Sequence, residues 1–301
     1  MATINPAEAG STREGVVPEQ ASRVAGPAVH PSFGSSALRI FDLSLAQMLW
    51  SRRSVFLAVL VAGPVLLAVV YRLATGLLPR GGFQVNGSAV GGPVVFGMMI
   101  WLLYVRFIVP VLGVFYGTAL IADEVDDKTI TYLFTRAIPR GAVLVGKYLA
   151  YLACTVLLVL PSVVLVYFLV VPVGGSIGAS FPALLADLGT LAAGLVAYGA
   201  VFAWVGARLK RPLVTGLVFA FGWEPAVLLF PGYLKRLTIA YYVQSFVPHA
   251  MPQESTVAAL LAVFHDVPSA PVSLLALALI TAAALWAAAD TVESREFVLE
   301  Q

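Results

Sequence analysis

The chain has 301 residues, of which 60% are apolar and only 11% are charged, with a formal net charge of +2. About 25% of the residues of a typical soluble domain are charged. This composition, with a mean hydropathy of +0.92, excludes an ordinary soluble protein and predicts a membrane protein. The single cysteine, Cys154, excludes an internal disulfide framework, and the three scattered histidines have no metal-ligand spacing.

Residues 1–36 are rich in Ala, Gly, Ser, Pro and Glu without an apolar period, which predicts a disordered cytoplasmic tail. From Ala37 to Arg53 apolar residues recur at helical spacing, and the segment ends in Trp50 and a basic pair. Two interpretations fit this pattern. It is either an amphipathic helix at the membrane interface or the start of the first membrane-spanning helix.

Six apolar segments follow, judged by the need for about 20 residues to cross the hydrocarbon of a bilayer. The second and third, at 28 and 29 residues, exceed a straight span and must tilt or protrude. The predicted spans are Val55–Tyr71, Val94–Ile121, Val143–Val171, Leu184–Val205, Leu213–Leu229 and Val272–Ala289. Pro64, Pro161 and Pro225 lie within three of them and predict kinks, because proline removes a backbone donor. Gly113 and Gly117 allow close helix packing, either within the chain or between two copies.

The positions of Lys and Arg predict the orientation, because these residues are retained on the cytoplasmic side. With the N-terminus inside, eleven lie close to the spans on the inner side, against four on the outer side. We therefore expect a multi-pass protein of the cell (inner) membrane with both termini cytoplasmic. The largest outer segment, Phe230–Pro271, interleaves aromatic and basic residues, which is typical of a short amphipathic helix at the outer leaflet or of a plain loop.

Three ionisable residues lie in or near the predicted spans: Arg106, Asp187 and Glu224. A charge at the bilayer centre costs at least about 2.5–3.5 kcal/mol, so such residues usually face a partner, a bundle interior or a transport pathway. All three are candidates for a pathway. The alternatives are a structural pair for Arg106 and an interfacial position for Asp187.

Charge is densest in the stretch from Ala122 to Lys147, between the second and third spans. Its end, Gly141–Lys147, fits the phosphate-loop pattern G-x-x-x-x-G-K. The next residue, however, is Tyr148 instead of Ser or Thr, and the intervening residues are those of a spanning helix. No catalytic constellation is found elsewhere in the sequence. We therefore expect neither nucleotide binding nor enzymatic activity from this chain.

The same stretch resembles the permease subunits of ABC-2 type transporters. In that family the second span ends in an acidic residue, followed by Thr, an amphipathic Leu-rich turn, Pro-x-Arg or Ser-Arg, and a Lys that opens the third span. The matching residues are Glu124, Thr129, Leu133, Pro139, Arg140 and Lys147. One position departs from the family, because Lys128 stands where Gly usually precedes the Thr. The resemblance covers residues 37–295 and leaves 296–301 as a short cytoplasmic tail.

The resemblance implies an all-α fold with six transmembrane helices, an N-terminal amphipathic interfacial helix and a short cytoplasmic coupling helix near Thr129–Arg136. It implies docking to a separate cytoplasmic ATPase, which would hold ATP and Mg²⁺, while this chain itself binds no cofactor. The residues implied in coupling are Glu124, Asp127, Thr129, Ile130, Leu133, Phe134, Arg136, Pro139 and Arg140. In the alternative interpretation this stretch is only a solvated loop.

The expected function is therefore that of an exporter permease that works in the membrane lipid as a homodimer or with a homologous second permease. We expect no nucleic-acid partner, because the small net charge gives no support for one. Two alternatives belong to other classes: a membrane anchor or assembly factor for a soluble partner, and a six-span intramembrane enzyme.

Overall fold

The computed structural model of the chain describes residues 32–77, 84–85, 88–89, 91–126, 140–229, 233–247 and 268–294. Within these ranges the helices and turns are interrupted by an antiparallel pair of two-residue strands, Gln84–Val85 (β1) and Ser88–Ala89 (β2). The all-α prediction is confirmed for this part of the chain. Most of the predicted N-terminal tail lies outside it.

The first helix, α1, is Phe33–Leu49, and it is separate from the first long helix, α2 (Arg52–Leu77). It begins earlier than the predicted Ala37 because the Ser32 hydroxyl accepts a hydrogen bond from the backbone N–H of Ser35, at 3.3 Å, and caps the helix. A turn at residues 50–51 then divides α1 from α2. Of the two interpretations of this segment, the start of the first span is therefore wrong.

Helix α3 extends from Gly92 to Asp126, and its part that is apolar enough to span a membrane is Gly92–Asp123. The type of helix changes along its length. It is α-helical at Gly92–Met99, Val109–Leu112 and Ala119–Asp126 and π-helical at Ile100–Ile108 and Gly113–Gly117. Pro110, which has no backbone N–H, lies between the two π-helical segments. At the end of the first one, the N–H of Val109 donates to the carbonyl of Tyr104. Such segments frequently occur at functional sites, and this one contains Arg106.

The remaining helices are α4 (Arg140–Val170), α5 (Ile177–Arg208), α6 and α8 (Ala270–Ser294). Helix α6 combines Pro212–Leu217, a π-helical turn at Val218–Trp223, and Glu224–Leu229. After it comes a segment with two short 3₁₀ turns around α7 (Ile239–Val243), which we call the post-α6 segment (residues 233–247). The kinks predicted at Pro64 and Pro161 fall in α2 and α4, which continue through both prolines.

In the described part of the chain, five helices are long and apolar enough to cross a membrane: α2, α3, α4, α5 and α8. They confirm the first, second, third, fourth and sixth predicted spans by length and composition. The apolar part of α6, Pro212–Val227, is shorter, about 24 Å at 1.5 Å per residue. Since the hydrocarbon is about 30 Å thick, the fifth predicted span stays a prediction.

Helices α3 and α5 form the centre of the bundle. In their most apolar windows 56% and 61% of the residues are buried, against 28% in α2 and 22% in α8. Glycines allow the close contact between the two central helices. A Cβ at Gly113 would lie 2.8 Å from the Tyr198 Cβ, and one at Gly117 would lie 2.8 Å from the Phe202 Cβ. The G-x-x-x-G pair of α3 therefore packs against α5 of the same chain.

Candidate functional site

Two of the three predicted ionisable residues, Arg106 and Glu224, meet in one polar cluster, which also contains Tyr198 and Gln244. Glu224 and Tyr198 are buried, and Arg106 and Gln244 are half-buried. The four side chains come from α3, α5, α6 and the post-α6 segment. Arg106 interacts electrostatically with both Tyr198 and Glu224. Four parts of the chain that are distant in sequence are thus joined through polar groups inside an apolar bundle.

Glu224 is the acceptor of this cluster and is only 2% exposed. Its Oε1 accepts the backbone N–H of Ile239 at 2.9 Å and that of Ala240 at 3.4 Å. Its Oε2 accepts the hydroxyl of Tyr198. All three bonds are donated to the carboxyl group, as an ionised carboxylate requires. Glu224 therefore holds the post-α6 segment against α5 and α6.

Arg106, on α3, contacts the same post-α6 segment. With the Gln244 amide oriented to satisfy both groups, its side-chain oxygen accepts from Arg106 Nη2 at 2.7 Å and from Nε at 3.3 Å. The guanidinium carbon of Arg106 also lies 5.1 Å from the ring centroid of Trp101, a cation–π contact. The sequence pattern did not predict that Tyr198 and Gln244 belong with these two charges, because neither side chain is itself charged.

Asp187 lies elsewhere along α5. It precedes Tyr198 by about 16 Å of helix rise and is fully buried (0% exposed). Helix α5 begins ten residues before it, at Ile177, and both the pathway role and the interfacial position of Asp187 stay predictions. One turn further on, the hydroxyl of Thr190 donates to the carbonyl of Phe246 at 3.2 Å, which gives the post-α6 segment another contact with α5.

A second polar region lies where α3 ends and α4 begins, which we call the α3–α4 end of the bundle. There Arg53 of α2 forms an ion pair with Asp123 of α3, with Nη1 and Oδ2 2.5 Å apart. The pair is half exposed, at 51% and 42% for the two side chains, so its own contribution to stability is small. It nevertheless connects the first span to the charge-dense stretch.

A cavity of about 300 Å³ opens beside this ion pair, and we call it the Lys147 cavity. Its polar lining is Ser44, Gln47, Ser51, Arg53, Tyr116, Asp123 and Lys147. Tyr116 and Lys147 are buried (2% and 8% exposed), whereas Gln47 and Arg53 are exposed. The cavity therefore has a buried base and an open mouth. The sequence pattern did not indicate it, because its lining comes from α1, α2, α3 and α4.

The predicted coupling residues lie mostly outside the described residues. This holds for Asp127, Thr129, Ile130, Leu133, Phe134, Arg136 and Pro139 and for the side chains of Glu124 and Arg140. The backbone of Glu124 belongs to the last turn of α3, and Arg140 is the first residue of α4. The roles assigned to these residues stay predictions.

The candidate phosphate loop is helical. Gly141–Lys147 forms the first turns of α4, and a Cβ at Gly146 would lie 2.6 Å from the Ala37 carbonyl oxygen. This glycine therefore serves close packing between α1 and α4. A phosphate loop lies between a strand and the helix that follows it, whereas these residues are themselves part of the helix, so they form no phosphate-wrapping loop.

Long apolar helices with buried charges define a multi-pass membrane protein. A family model described as "ABC-2 family transporter protein" matches residues 35–292, most of the chain. The chain therefore belongs to the ABC-2 family of transporter proteins, and the resemblance found in its sequence is confirmed. It is a transmembrane component, a permease, and not itself the ATPase. In a comparison with curated proteins, none matches the chain.

Proposed function

We propose that this chain is the permease subunit of an exporter that is driven by a separate cytoplasmic ATPase. Family membership over residues 35–292 is the observation that carries the proposal. The charge-dense stretch between α3 and α4 supports it, since this is the only dense cluster of charge in the sequence. Both termini and this stretch are cytoplasmic in the proposal, in agreement with the distribution of Lys and Arg.

In the proposed mechanism the ATPase docks on the stretch between α3 and α4. Ile130, Leu133 and Phe134 are its apolar anchors, and the charges around them form a polar rim, the usual composition of a binding hot spot. ATP and Mg²⁺ are bound by the ATPase. Closure of two ATPase subunits moves α3 and α4, and the Arg53–Asp123 ion pair passes this motion to α2.

The polar cluster around Glu224 also has a role in the proposed mechanism. Arg106 lies on α3, the helix that the ATPase would move, and it bonds Gln244 of the post-α6 segment. Glu224 bonds the same segment through its backbone. A shift of α3 would strain these bonds and release the segment, which opens the outer end of the pathway. In this role Arg106 and Glu224 act as a gate, and the pathway itself lies between this chain and a second permease, identical or homologous.

The coupling part is tested with the purified permease and the soluble ATPase that a neighbouring reading frame with a full phosphate loop would encode. We expect Leu133→Asp and Phe134→Asp to weaken the complex about 30-fold, the effect of losing a hot spot of about 2 kcal/mol. Leu209→Asp is the matched control, because Leu209 is an exposed apolar residue outside the stretch. Affinity is measured by titration in detergent.

ATP hydrolysis by the complex separates a transporter from a membrane anchor. With Glu124→Arg we expect the complex to form but its ATPase rate to lose its response to the permease. If the wild-type complex is stable and this substitution changes nothing, the chain only anchors its partner. If Leu133→Asp and Leu209→Asp behave alike, the apolar anchors are assigned to the wrong residues.

A further inference from the structure

The Lys147 cavity has the chemistry of an anion site. Among the described residues, the ionisable groups of its lining apart from the Tyr116 phenol are two cations, Arg53 and Lys147, and one carboxylate, Asp123. Their formal sum is one positive charge. Hydroxyl groups of Ser44 and Ser51 and the amide of Gln47 add hydrogen-bonding groups to the same space. An anion with several acceptor oxygens matches this lining in charge and in hydrogen bonding.

The cavity lies at the level where lipid headgroups are found. Arg53, Asp123 and Lys147 mark the start of α2, the end of α3 and the first turns of α4, so the cavity is at one end of three spanning helices. Trp50, 92% exposed, directly precedes Ser51 of the lining, and Trp side chains favour the headgroup region. Basic pockets between spanning helices at this depth bind anionic headgroups.

Size favours a headgroup over a whole lipid. A volume of about 300 Å³ is at the lower end of the range for small-molecule sites, so acyl chains would have to lie outside. Directly after Arg53, helix α2 exposes Val55, Phe56 and Val59, at 65%, 57% and 67%. These side chains offer an apolar surface along which acyl chains can run while the headgroup occupies the cavity.

We propose that the Lys147 cavity binds the phosphate group of an anionic membrane lipid. Lys147 at the buried base and Arg53 at the mouth hold the phosphate. Asp123 competes with it for Arg53 and so limits its affinity. Through this site the lipid joins α1, α2, α3 and α4 at the end of the bundle where the charge-dense stretch emerges.

The test titrates the full-length chain in detergent with short-chain phosphatidylglycerol and counts bound lipid by native mass spectrometry. We expect one tightly bound lipid per chain. Lys147→Met, which keeps the apolar stem, should weaken it about fivefold, the effect of one cation near a headgroup. Asp123→Asn should strengthen it about fivefold, because it frees Arg53. Lys210→Met should change it less than twofold, since Lys210 is exposed beyond the end of α5.

The expected gain in lipid affinity with Asp123→Asn separates an effect on the site from misfolding, because a misfolded variant does not bind more tightly. Size-exclusion profiles show whether each variant remains monodisperse. Two further probes distinguish the source of the anion: diacylglycerol with the same chains, and inorganic phosphate. Equal binding by wild type and Lys147→Met, a loss with Asp123→Asn, or equal binding of diacylglycerol overturns the site. Binding of inorganic phosphate as tight as that of the lipid overturns the lipid assignment.

Discussion

At the scale of single residues, Glu224 connects the post-α6 segment to α5 through hydrogen bonds. It accepts two backbone N–H groups of the post-α6 segment and the hydroxyl of Tyr198, and Arg106 is an electrostatic neighbour. A buried charge is tolerated only when it is paired and hydrogen-bonded. These requirements explain why two charges from different helices occupy one place in an apolar bundle.

Removing the carboxyl group should therefore release the post-α6 segment. Glu224→Ala leaves two buried backbone donors without their acceptor, at about 1–3 kcal/mol each, and leaves Arg106 without its nearby negative charge. We expect a lower midpoint of thermal unfolding and faster maleimide labelling of a cysteine placed at Ala240, in a Cys154→Ala background. Glu224→Gln, which keeps one acceptor oxygen, should show a smaller effect on both.

Asp290→Ala is the control, because Asp290 is an exposed acidic residue of α8. Labelling at residue 240 that is equally fast with and without the Glu224 carboxyl group would show that this group does not hold the segment.

At the scale of helices, the contact between α3 and α5 depends on glycine. The G-x-x-x-G spacing of Gly113 and Gly117 predicts a close helix contact, but it is silent on whether the partner belongs to the same chain. Tyr198 and Phe202 of α5 lie directly over these glycines. Gly199, on the same turn, has the Tyr151 ring of α4 against it, since a Cβ there would lie 2.0 Å from Cε1. Three helices therefore meet at one closely packed level.

A single methyl group added at one of these glycines should disturb the packing of the three helices. Gly117→Ala places a Cβ 2.8 Å from the Phe202 Cβ and 3.2 Å from the Gly199 carbonyl oxygen, and overpacking of this kind costs about 1–3 kcal/mol. We expect a lower thermal midpoint in detergent. Gly189→Ala should leave it unchanged or raise it, because nothing lies within 4 Å of a Cβ there and alanine favours helix by up to about 1 kcal/mol. Equal midpoints for the two variants would contradict this packing.

At the scale of the whole molecule, the described chain that follows the short helix α6, residues 233–247, packs against the bundle. The apolar part of α6, Pro212–Val227, is about 24 Å long, and the post-α6 segment that follows α6 is buried at Thr238, Ile239, Ala240 and Val243. The aromatic and basic residues of this region predict either an amphipathic helix or a plain loop. The described part is helical in three short pieces and packs into the bundle.

The proposed orientation places Tyr233 outside and Lys210 inside. Tyr233 is 79% exposed and Lys210 is also exposed, so cysteines at these two positions, in a Cys154→Ala background, should be reactive on opposite sides. In intact cells a membrane-impermeant maleimide should label the chain with Tyr233→Cys, and it should label the chain with Lys210→Cys only after the membrane is opened. The reverse pattern would place both termini outside.

Much of the fold could be predicted from the sequence because membrane insertion depends on quantities that are read along the chain. The length of an apolar run and the charges beside it predict a span and its direction, and five helices agree with the predicted runs. The fifth run, Leu213–Leu229, is ambiguous from sequence, since a run of this composition can be a span or a shorter buried helix.

The sequence by itself determined that the chain belongs in a membrane, where its long helices lie, and which family it resembles, since these follow from composition and local spacing. Only the tertiary structure decided which polar groups meet. Arg53 forms an ion pair with Asp123, 70 residues away, and Tyr198 forms a hydrogen bond with Glu224, 26 residues away. Lys147 lines a cavity together with residues of three other helices. The physical reason is that a polar group in an apolar bundle must find a partner, and packing decides which partner is near.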